Sequence, residues 1–217
     1  MPILAYILTA FAAYLLGSIP TGYLVGKAKG VDIRTVGSKN MGATNVFRTL
    51  GKGPGILVLL VDALKGSGSV LLAGIIARQL INMFRYEPDP SLLSNLAVLA
   101  GLCAVLGHNY TCWLAFKGGK GIATTAGVYF ALAPLSVSIA LGVWIVFFVV
   151  TRYVSVASIA AAVALPTAVW LTQPSLLLSL VTTGLGLMAI YKHKANIQRL
   201  IAGTENRIRF KKEKPAA

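Results

Sequence analysis

Long apolar stretches separated by short polar segments make up most of the chain. A helix needs about 20 apolar residues to cross the hydrocarbon core of a bilayer, and fewer where neighbouring helices shelter its ends. Breaks in the pattern fall at Pro134, at Gln173-Pro174 and at 151–153. The pattern therefore predicts an all-α integral membrane protein with seven transmembrane helices, or six if the fourth and fifth stretches form one broken helix. The predicted spans lie near 3–25, 55–79, 94–113, 121–133, 135–151, 153–172 and 174–191.

The composition agrees with a membrane protein and changes how the charge is interpreted. Mean hydropathy is +0.76, and the 20 Lys and Arg residues outnumber the 6 Asp and Glu residues, for a net charge of +14. Most basic residues lie outside the apolar stretches, and no basic patch is interleaved with aromatic residues. We therefore expect lipid head groups and an anionic substrate as partners rather than nucleic acid. Cys103 and Cys112 lack metal-site spacing, and we expect both to be small apolar residues.

The basic residues also predict the orientation of the helices. Six of them lie in 26–54, two in 114–120, one is Arg152, and eight lie in the C-terminal segment. Seven spans place all of these on one side of the membrane, which the positive-inside rule makes cytoplasmic. The N-terminus is then outside, and the C-terminus, with a basic tail over 208–217, is inside. The first apolar stretch is too long for a signal peptide, so we expect it to remain as a helix of one domain over 1–217.

Two groups of residues within the apolar stretches predict close packing. Gly17, Gly22 and Gly26 lie near one face of the first span, and small residues let membrane helices approach closely, so we interpret them as packing positions. Asp62 and Lys65 are three residues apart on one face of the second span. Each charge would cost about 2.5–3.5 kcal/mol in the membrane if unpaired. We predict a structural ion pair beneath the active-site loop, and a direct catalytic role is the alternative.

Three polar segments, near 27–54, 107–124 and 192–207, fall on the predicted cytoplasmic side. The first combines small residues, hydroxyls, amides and arginines, which suits a phosphate site, although a plain polar loop is an equal alternative. The second leads through a glycine turn into a helix start near Ile122, where free N–H groups and the helix dipole would face an anion. A flexible connector is the alternative for this segment.

The third segment repeats polar side chains at helical spacing. His193, Asn196 and Arg199 would share one face of a helix. The alternative is an amphipathic helix on the membrane surface, which its basic residues also fit. His108 in the second segment has an alternative of the same kind, because it could be an interfacial hydrogen-bonding residue.

Taken together, the three segments carry the motifs of a known family. Residues 37–48 read Gly-Ser-x-Asn-x-Gly-Ala-Thr-Asn-x-x-Arg, and 107–124 contain Gly-His and then Phe-x-Gly-Gly-Lys-Gly-x-Ala-Thr. Residues 193–205 read His-x-x-Asn-Ile-x-Arg-Leu-x-x-Gly-x-Glu. Over nearly its whole length the chain resembles the bacterial acyl-phosphate:glycerol-3-phosphate acyltransferases. The resemblance implies a seven-helix enzyme of the bacterial cytoplasmic (inner) membrane with three cytoplasmic motifs.

The resemblance further implies a reaction and the positions that carry it. The enzyme would transfer a fatty acyl group from acyl phosphate to the C1 hydroxyl of glycerol 3-phosphate, giving lysophosphatidic acid and phosphate in the first step of phospholipid synthesis. The expected catalytic residues are Ser38, Arg48, Lys120, His193 and Asn196. Further expected phosphate-binding positions are Asn40, Thr44, Asn45, Gly118, Gly119 and Gly121. Expected supporting positions are His108, Arg199, Glu205, Asp62 and Lys65. The chain departs from the family at Lys39, where glycine is usual.

The chemistry of an acyl phosphate fits a chain with few candidate bases. It is a mixed anhydride with a good leaving group, so positioning and charge stabilisation should dominate catalysis. Either a substrate phosphate or His193 would deprotonate the C1 hydroxyl. We expect no metal or other cofactor. The expected partners are the two substrates, membrane lipids and the soluble enzyme that makes acyl phosphate, and we expect a monomer.

An anion transporter is the alternative function from a different class. A transporter would also place lysines and glycine breaks near membrane helices. It would be expected to hold its polar groups near mid-membrane, in repeated halves. This chain concentrates them on one side and has no evident repeat, which favours the enzyme.

Overall fold

The computed structural model describes residues 2–208, and the regular structure in this range is entirely helical. Apart from position 208, the predicted basic tail lies outside the described residues. Ten α-helices and one 3₁₀ helix follow one another along the described chain. They are α1 (Pro2–Ser18), α2 (Thr21–Ala28), α3 (Ala43–Leu50), α4 (Lys52–Phe84), α5 (Leu92–Asn109), the 3₁₀ helix (Cys112–Leu114), α6 (Ile122–Leu132), α7 (Pro134–Thr151), α8 (Val154–Thr172), α9 (Leu176–Lys192) and α10 (Lys194–Ile201).

Each of the seven predicted apolar stretches contains helix, so the all-α membrane architecture is confirmed. By length and composition, five segments of 2–208 can cross a bilayer, and a sixth arises if α9 and α10, bent by 50° at His193, are counted as one span. The remaining apolar helix, α6, has 11 residues and is about 16 Å long at a rise of about 1.5 Å per residue. That is short of the roughly 30 Å hydrocarbon core, so a seventh span stays a prediction.

The predicted breaks coincide with ends of helices. Pro134 is the first residue of α7. The N–H group that proline lacks would have no partner within the helix at this position, so no helical hydrogen bond is lost. Ala133, with φ −149°, separates α6 from α7. The two helices also have different main neighbours, because α6 packs along α4 whereas α7 packs along α8. They are therefore separate helices.

The glycines of the first apolar stretch lie at close contacts, as predicted. A Cβ at Gly17 would overlap the backbone of Ala104 in α5, so this glycine lets α1 and α5 approach closely. A Cβ at Gly22 would overlap the carbonyl oxygen of Met41. Gly22 therefore packs against the polar segment that precedes α3, rather than against another membrane helix. A Cβ at Gly26 would likewise overlap the carbonyl oxygen of Val31. The interpretation as packing positions is confirmed, but two of the three glycines pack against the polar segment rather than against a membrane helix.

The predicted ion pair within α4 is present and buried. The Lys65 Nζ atom lies 2.8 Å from Asp62 Oδ1, and each side chain is only 3% exposed. Lys65 also donates a hydrogen bond of 2.9 Å to the carbonyl oxygen of Ile19, where α1 has ended. Opposite this pair, Gly66 and Gly127 bring α4 and α6 into backbone contact. The second partner stabilises Lys65 and connects α4 to the break between α1 and α2.

Candidate active site

The three polar segments meet at one end of the helix bundle, around a cavity of about 340 Å³. Residues of every helix from α3 to α10 line it, so the sequence-distant motifs form one site. Of the candidate positions, the cavity is lined by Ser38, Asn40, Thr44, Asn45, Arg48, Asp62, His108, Lys120, Gly121, His193, Asn196 and Glu205. Four candidates do not line it, namely Lys65, Gly118, Gly119 and Arg199.

Asn45 holds the first polar segment in shape. Its side chain is buried, its Nδ2 group donates to the carbonyl oxygens of Ile33 (3.0 Å) and Val36 (3.1 Å), and its Oδ1 accepts from the Ser38 N–H (2.8 Å). Asn40 has a similar local function, because its Oδ1 accepts from the Gly42 N–H at 2.8 Å. The amide oxygens of both asparagines are therefore engaged within the protein. Asn45 fixes the backbone that presents Ser38 to the cavity.

Lys39 occupies a backbone conformation that explains the glycine usual at this position. Its φ is +57°, in the left-handed region, where a side chain costs about 1–2 kcal/mol that glycine avoids. The loop keeps the turn despite this cost, since the hydrogen bonds of Asn45 and Asn40 lie on both sides of it. The departure from the family pattern therefore leaves the turn intact.

The loop over 117–121, called the glycine loop, is hydrogen-bonded to the end of α5. The Gly118 N–H donates to the carbonyl oxygen of Asn109 (3.2 Å), and the Gly119 N–H donates to that of His108 (2.9 Å). A Cβ at Gly119 would overlap the His108 ring. Both N–H groups thus satisfy carbonyl groups left free at the C-terminus of α5. A phosphate-binding role for Gly118 and Gly119 stays a prediction, and in this arrangement it does not come from these two N–H groups. The glycines instead let the loop pass close to His108.

The helix start after this loop lies where the sequence predicts it. α6 begins at Ile122, and Gly121 precedes it with φ +84°. Both residues and Ala123 line the cavity. The first N–H groups of a helix lack partners within the helix, and they carry the positive end of its dipole. The polar end of the cavity therefore combines this helix start with Lys120.

Lys120 connects the second and third motifs. Its Nζ group donates to Asn196 Oδ1, and the Asn196 Nδ2 group donates to Glu205 Oε1 at 2.8 Å. Glu205 accepts two further hydrogen bonds, from Arg199 Nε (2.7 Å) and from Ser155 Oγ (2.9 Å). Arg199 does not line the cavity itself but is hydrogen-bonded to Glu205, which does. The network orients Asn196 so that its oxygen faces the lysine.

Burial and these hydrogen bonds change the ionisation of the network. Burial lowers the pKa of Lys120 to about 8, with smaller contributions from Arg199 and Arg48 that the Glu205 charge opposes. For Glu205, burial raises the pKa, but hydrogen bonds from Asn196, Arg199 and Ser155 outweigh it and lower the pKa overall. The carboxylate is therefore charged at neutral pH. Lys120 is mostly charged there, yet close to the pH at which it loses its proton.

His193 has one ring nitrogen engaged by the backbone. Its Nδ1 atom lies 2.8 Å from the carbonyl oxygen of Ala189, one turn earlier in α9. Because a carbonyl oxygen only accepts, Nδ1 carries the proton, and in the neutral ring Nε2 has a free lone pair. His193 lies at the bend between α9 and α10 and lines the cavity. Burial and, to a smaller extent, the charge of Lys120 lower the pKa of His193 to about 4. The ring is therefore neutral at physiological pH, and Nε2 can accept a hydrogen bond or, as a weak base, a proton.

Asp62 and His108 form the floor of the polar end. Asp62 Oδ1 lies 3.6 Å from His108 Nδ1, and both side chains are buried. Lys65 lies behind Asp62, away from the cavity. The buried pair therefore supports the loop that carries Lys120, through the contact of Gly119 with the His108 ring.

The segment after α10 crosses the rim of the cavity, which the sequence did not predict. Arg48 Nη2 donates to the carbonyl oxygen of Asn206 (3.0 Å), and the N–H of Ile208 donates to that of Arg152 (2.9 Å). These bonds connect the segment to α3 and to the turn after α7.

Ser155 is a site residue that the sequence analysis missed, because a single serine in an apolar helix does not stand out. The pattern that could have indicated it is the pair Ser155 and Ser158, three residues apart on one helix face, since both line the cavity.

The other end of the cavity is apolar and extends between α6, α7, α8 and α9. Apolar side chains make up most of this wall, and many of them lie within membrane-spanning segments. Among them are Phe130, Val137, Ala140, Leu141, Trp144, Leu165 and Leu185. A ligand that fits both ends would have an anionic head and an apolar tail.

Comparisons with known proteins agree with this geometry. The family model for glycerol-3-phosphate acyltransferase matches residues 7–203. A glycerol-3-phosphate acyltransferase of Geotalea daltonii is 48% identical over 92% of this chain and 96% of its own length. One of Geobacter sulfurreducens is 48% identical over 94% of this chain and 97% of its own length.

A solved structure has the same fold. It is the crystal structure of PlsY (YgiH), an integral membrane glycerol 3-phosphate acyltransferase, in its glycerol 3-phosphate form. The TM-score is 0.80 with 39% sequence identity, over 94% of this chain and 95% of that one. The lysophosphatidic acid form of that protein matches with a TM-score of 0.77.

Proposed function

Because the chain belongs to the glycerol-3-phosphate acyltransferase family, we propose that it transfers a fatty acyl group from acyl phosphate to the C1 hydroxyl of glycerol 3-phosphate. The products are lysophosphatidic acid and inorganic phosphate. Membership of an enzyme family favours this function over an anion transporter. One observation carries the proposal, namely that Lys120, Arg48 and His193 meet at the polar end of a cavity whose other end is apolar.

The apolar end holds the acyl chain of the donor. A fatty acyl phosphate is an anion with a long apolar tail, and burying that tail stabilises binding by about 25 cal/mol per Å² of apolar surface. Trp144 and Leu165 lie in membrane helices along this end, so a donor dissolved in the bilayer can enter sideways. The carbonyl carbon then lies where the apolar wall gives way to the polar end.

The polar end holds the phosphate groups. Arg48 and Lys120 provide two positive charges, and Ser38 and the start of α6 provide hydrogen-bond donors. Charge-assisted hydrogen bonds to such groups contribute about 1.5–3 kcal/mol each. Two anionic substrates repel each other, so these cations have to offset that repulsion as well as bind. Asn196 and Glu205 keep Lys120 in position while it does so.

The reaction needs little activation of the donor. The C1 oxygen of glycerol 3-phosphate attacks the acyl carbonyl carbon, a new C–O bond forms, and the bond from that carbon to the phosphate oxygen breaks. The hydroxyl proton goes to His193 Nε2 or directly to the departing phosphate. Since phosphate is a good leaving group, holding both substrates in line and stabilising the developing charge provide most of the acceleration.

The site lies on the cytoplasmic side in this proposal, with seven spans and the N-terminus outside. The basic segments 26–54, 114–120 and 192–207 all contribute residues to the cavity at one end of the bundle. The fourth basic position, Arg152, lies at the same end, where its carbonyl oxygen accepts a hydrogen bond from the N–H of Ile208. These contacts support one common side for all four. A cytoplasmic site can receive glycerol 3-phosphate from solution and acyl phosphate from a soluble enzyme that makes it. The protein works as a monomer in the bacterial cytoplasmic membrane.

A donor comparison tests this function. The purified protein in lipid nanodiscs is supplied with labelled glycerol 3-phosphate and either palmitoyl phosphate or palmitoyl-CoA. We expect labelled lysophosphatidic acid from palmitoyl phosphate and little from palmitoyl-CoA. Product from the CoA donor alone would overturn the proposed donor, and product from neither would overturn the proposed reaction.

A further inference from the structure

A second cavity, of about 310 Å³, lies beside the candidate active site. The segment 38–41 forms part of the wall between the two. Ser38 and Asn40 line the first cavity, whereas the alternate residues Lys39 and Met41 line the second. The second cavity is therefore separate from the active site but shares its framework.

Residues of the glycine loop are likewise divided between the two cavities. Lys120 and Gly121 line the first cavity, and Lys117 and Gly118 line the second. Among the described residues, no lining residue is common to the two cavities. The two lysines of this loop thus line different cavities, and the function of Lys117 cannot be inferred from that of Lys120.

One cation of the second cavity is held rigidly. Arg34 donates to both carboxylate oxygens of Asp32, from Nε at 3.0 Å and from Nη2 at 2.8 Å. Its guanidinium carbon also lies 4.6 Å from the centre of the Tyr23 ring. These contacts use both oxygens of Asp32, which is the carboxylate lining this cavity. Arg34 still has a further N–H edge that can bind a ligand.

The other two cations have no such partner. Lys39 and Lys117 are exposed, and neither forms an ion pair with any residue of 2–208. With Arg34 and Asp32 included, the lining carries three positive charges and one negative charge, a net charge of +2. A doubly charged anion with several oxygens matches this arrangement, since lysines provide point charges and arginine a planar pair of donors.

The backbone at Lys39 supports a ligand role for this residue. Its left-handed φ of +57° is favourable for glycine and tolerated by asparagine and aspartate, but it is unfavourable for lysine. A strained residue that carries a cation into a cavity is a typical feature of a binding site. Lysine at this position adds charge to the second cavity without altering Ser38 and Asn40 on the other side of the wall.

We propose that this second cavity binds a phosphate group through Lys39, Lys117 and Arg34. The phosphate belongs either to free inorganic phosphate or to the head group of an anionic phospholipid at the membrane surface. The inference goes beyond the acyl transfer proposed above and does not depend on it.

Thermal unfolding of the full chain in phosphatidylcholine nanodiscs tests the proposal, since a ligand that binds only the folded state raises the unfolding midpoint. All variants carry Lys120→Ala, which weakens phosphate binding in the first cavity. Inorganic phosphate is titrated at constant ionic strength, with chloride as the balancing salt. The test variant adds Lys39→Gly, which suits the left-handed backbone, and Lys117→Ala. The matched control adds Lys29→Ala and Lys52→Ala instead, because these exposed lysines line neither cavity.

If free phosphate is the ligand, it raises the midpoint of the control, and the apparent affinity in the test variant is weaker by at least about tenfold. If a lipid head group is the ligand, free phosphate does not distinguish the two variants, because any remaining effect comes from the first cavity that both share. Phosphatidic acid in the nanodisc then raises the midpoint of the control more than that of the test variant. The proposal is overturned if neither anion stabilises the control, or if the two variants respond equally to each anion.

Discussion

Lys120 in the glycine loop donates a hydrogen bond to Asn196, 76 residues later in the chain. The bond joins the start of α6 to α10, so the position of the cation depends on two motifs at once. Glu205 holds the other side of the same amide. An Asn amide between a lysine and a carboxylate has only one satisfactory orientation, because its oxygen must face the donor and its nitrogen the acceptor. The cation is thereby placed before a substrate arrives.

Replacing Lys120 should lower catalysis without unfolding the protein. Lys120→Ala removes one charge-assisted contact to a phosphate group, so we expect kcat/KM for glycerol 3-phosphate to fall about 10–100-fold. Lys194→Ala is the matched control, since Lys194 is exposed and does not line the cavity. Steady-state kinetics at equal amounts of purified protein measure both. An unchanged kcat/KM in Lys120→Ala would contradict the role of this lysine.

The pH dependence of the reaction should report Lys120. Its pKa is lowered to about 8 by burial, and a lysine is positively charged below its pKa. We therefore expect kcat/KM for glycerol 3-phosphate, which reflects the free enzyme, to decline as pH rises through about 8. A bound phosphate raises the pKa of the lysine beside it. The decline in kcat, which reflects the enzyme–substrate complex, should therefore occur at a higher pH than the decline in kcat/KM.

Lys120→Arg provides the test of this assignment. Arginine keeps its charge throughout the range, so the activity that remains in Lys120→Arg should lack the decline near pH 8. Lys194→Arg should retain the wild-type profile. Spontaneous hydrolysis of the acyl phosphate is measured without enzyme at each pH and subtracted. A decline that persists in Lys120→Arg would assign it to another group.

Ser155 should act through Glu205. Ser155→Ala removes one of three side-chain donors to the carboxylate, and a net hydrogen bond of about 1 kcal/mol corresponds to a roughly fivefold decrease in kcat/KM. Ser138→Ala is the control, since Ser138 is exposed and donates only within α7. Ser155→Ala with wild-type kinetics would mean that Asn196 and Arg199 suffice to hold Glu205.

The left-handed backbone at position 39 predicts a gain in stability on substitution. Lys39→Gly removes an unfavourable conformation, partly offset by the greater freedom of glycine in the unfolded chain, so we expect about 0.5–1 kcal/mol of stabilisation. Lys39→Ala removes the same charge but keeps the strain, and it should give no comparable gain. Thermal unfolding in detergent compares the two. Equal midpoints for Lys39→Gly and Lys39→Ala would attribute any change to the charge.

The sequence predicted the helices better than the hydrogen bonds of the site. Apolar length alone locates membrane helices, because each must satisfy its backbone within itself. The partners of Gly118 and Gly119 could not be predicted in this way. Their N–H groups reach the end of α5 only because the loop folds back, and this contact cannot be inferred from the spacing of residues in the sequence. Ser155 was missed for the same reason, since its partner Glu205 is 50 residues away.

Membrane topology can be tested across α4 alone. Lys29 precedes this helix and Asp89 follows it, and α4 has 33 residues, enough to cross the bilayer. We expect Lys29→Cys to react only with membrane-permeant thiol reagents in intact cells, and Asp89→Cys to react with impermeant ones. Cys103→Ala and Cys112→Ala in the same background remove the native thiols. Labelling of both positions from one side would contradict the topology.

The orientation of the termini is the same whether α6 and α7 both cross the membrane or both enter it and return to the same side. If α6 crosses, α7 crosses back, and the described chain has seven spans. If the α6–α7 pair only enters and returns, it has five. Both numbers are odd, so α9 still ends on the side that holds Lys120. Ile201 is the last residue of α10 and is 84% exposed, so Ile201→Cys should behave like Lys29→Cys. Reaction of Ile201→Cys with impermeant reagents would require an even number of spans and separate the third motif from the first two.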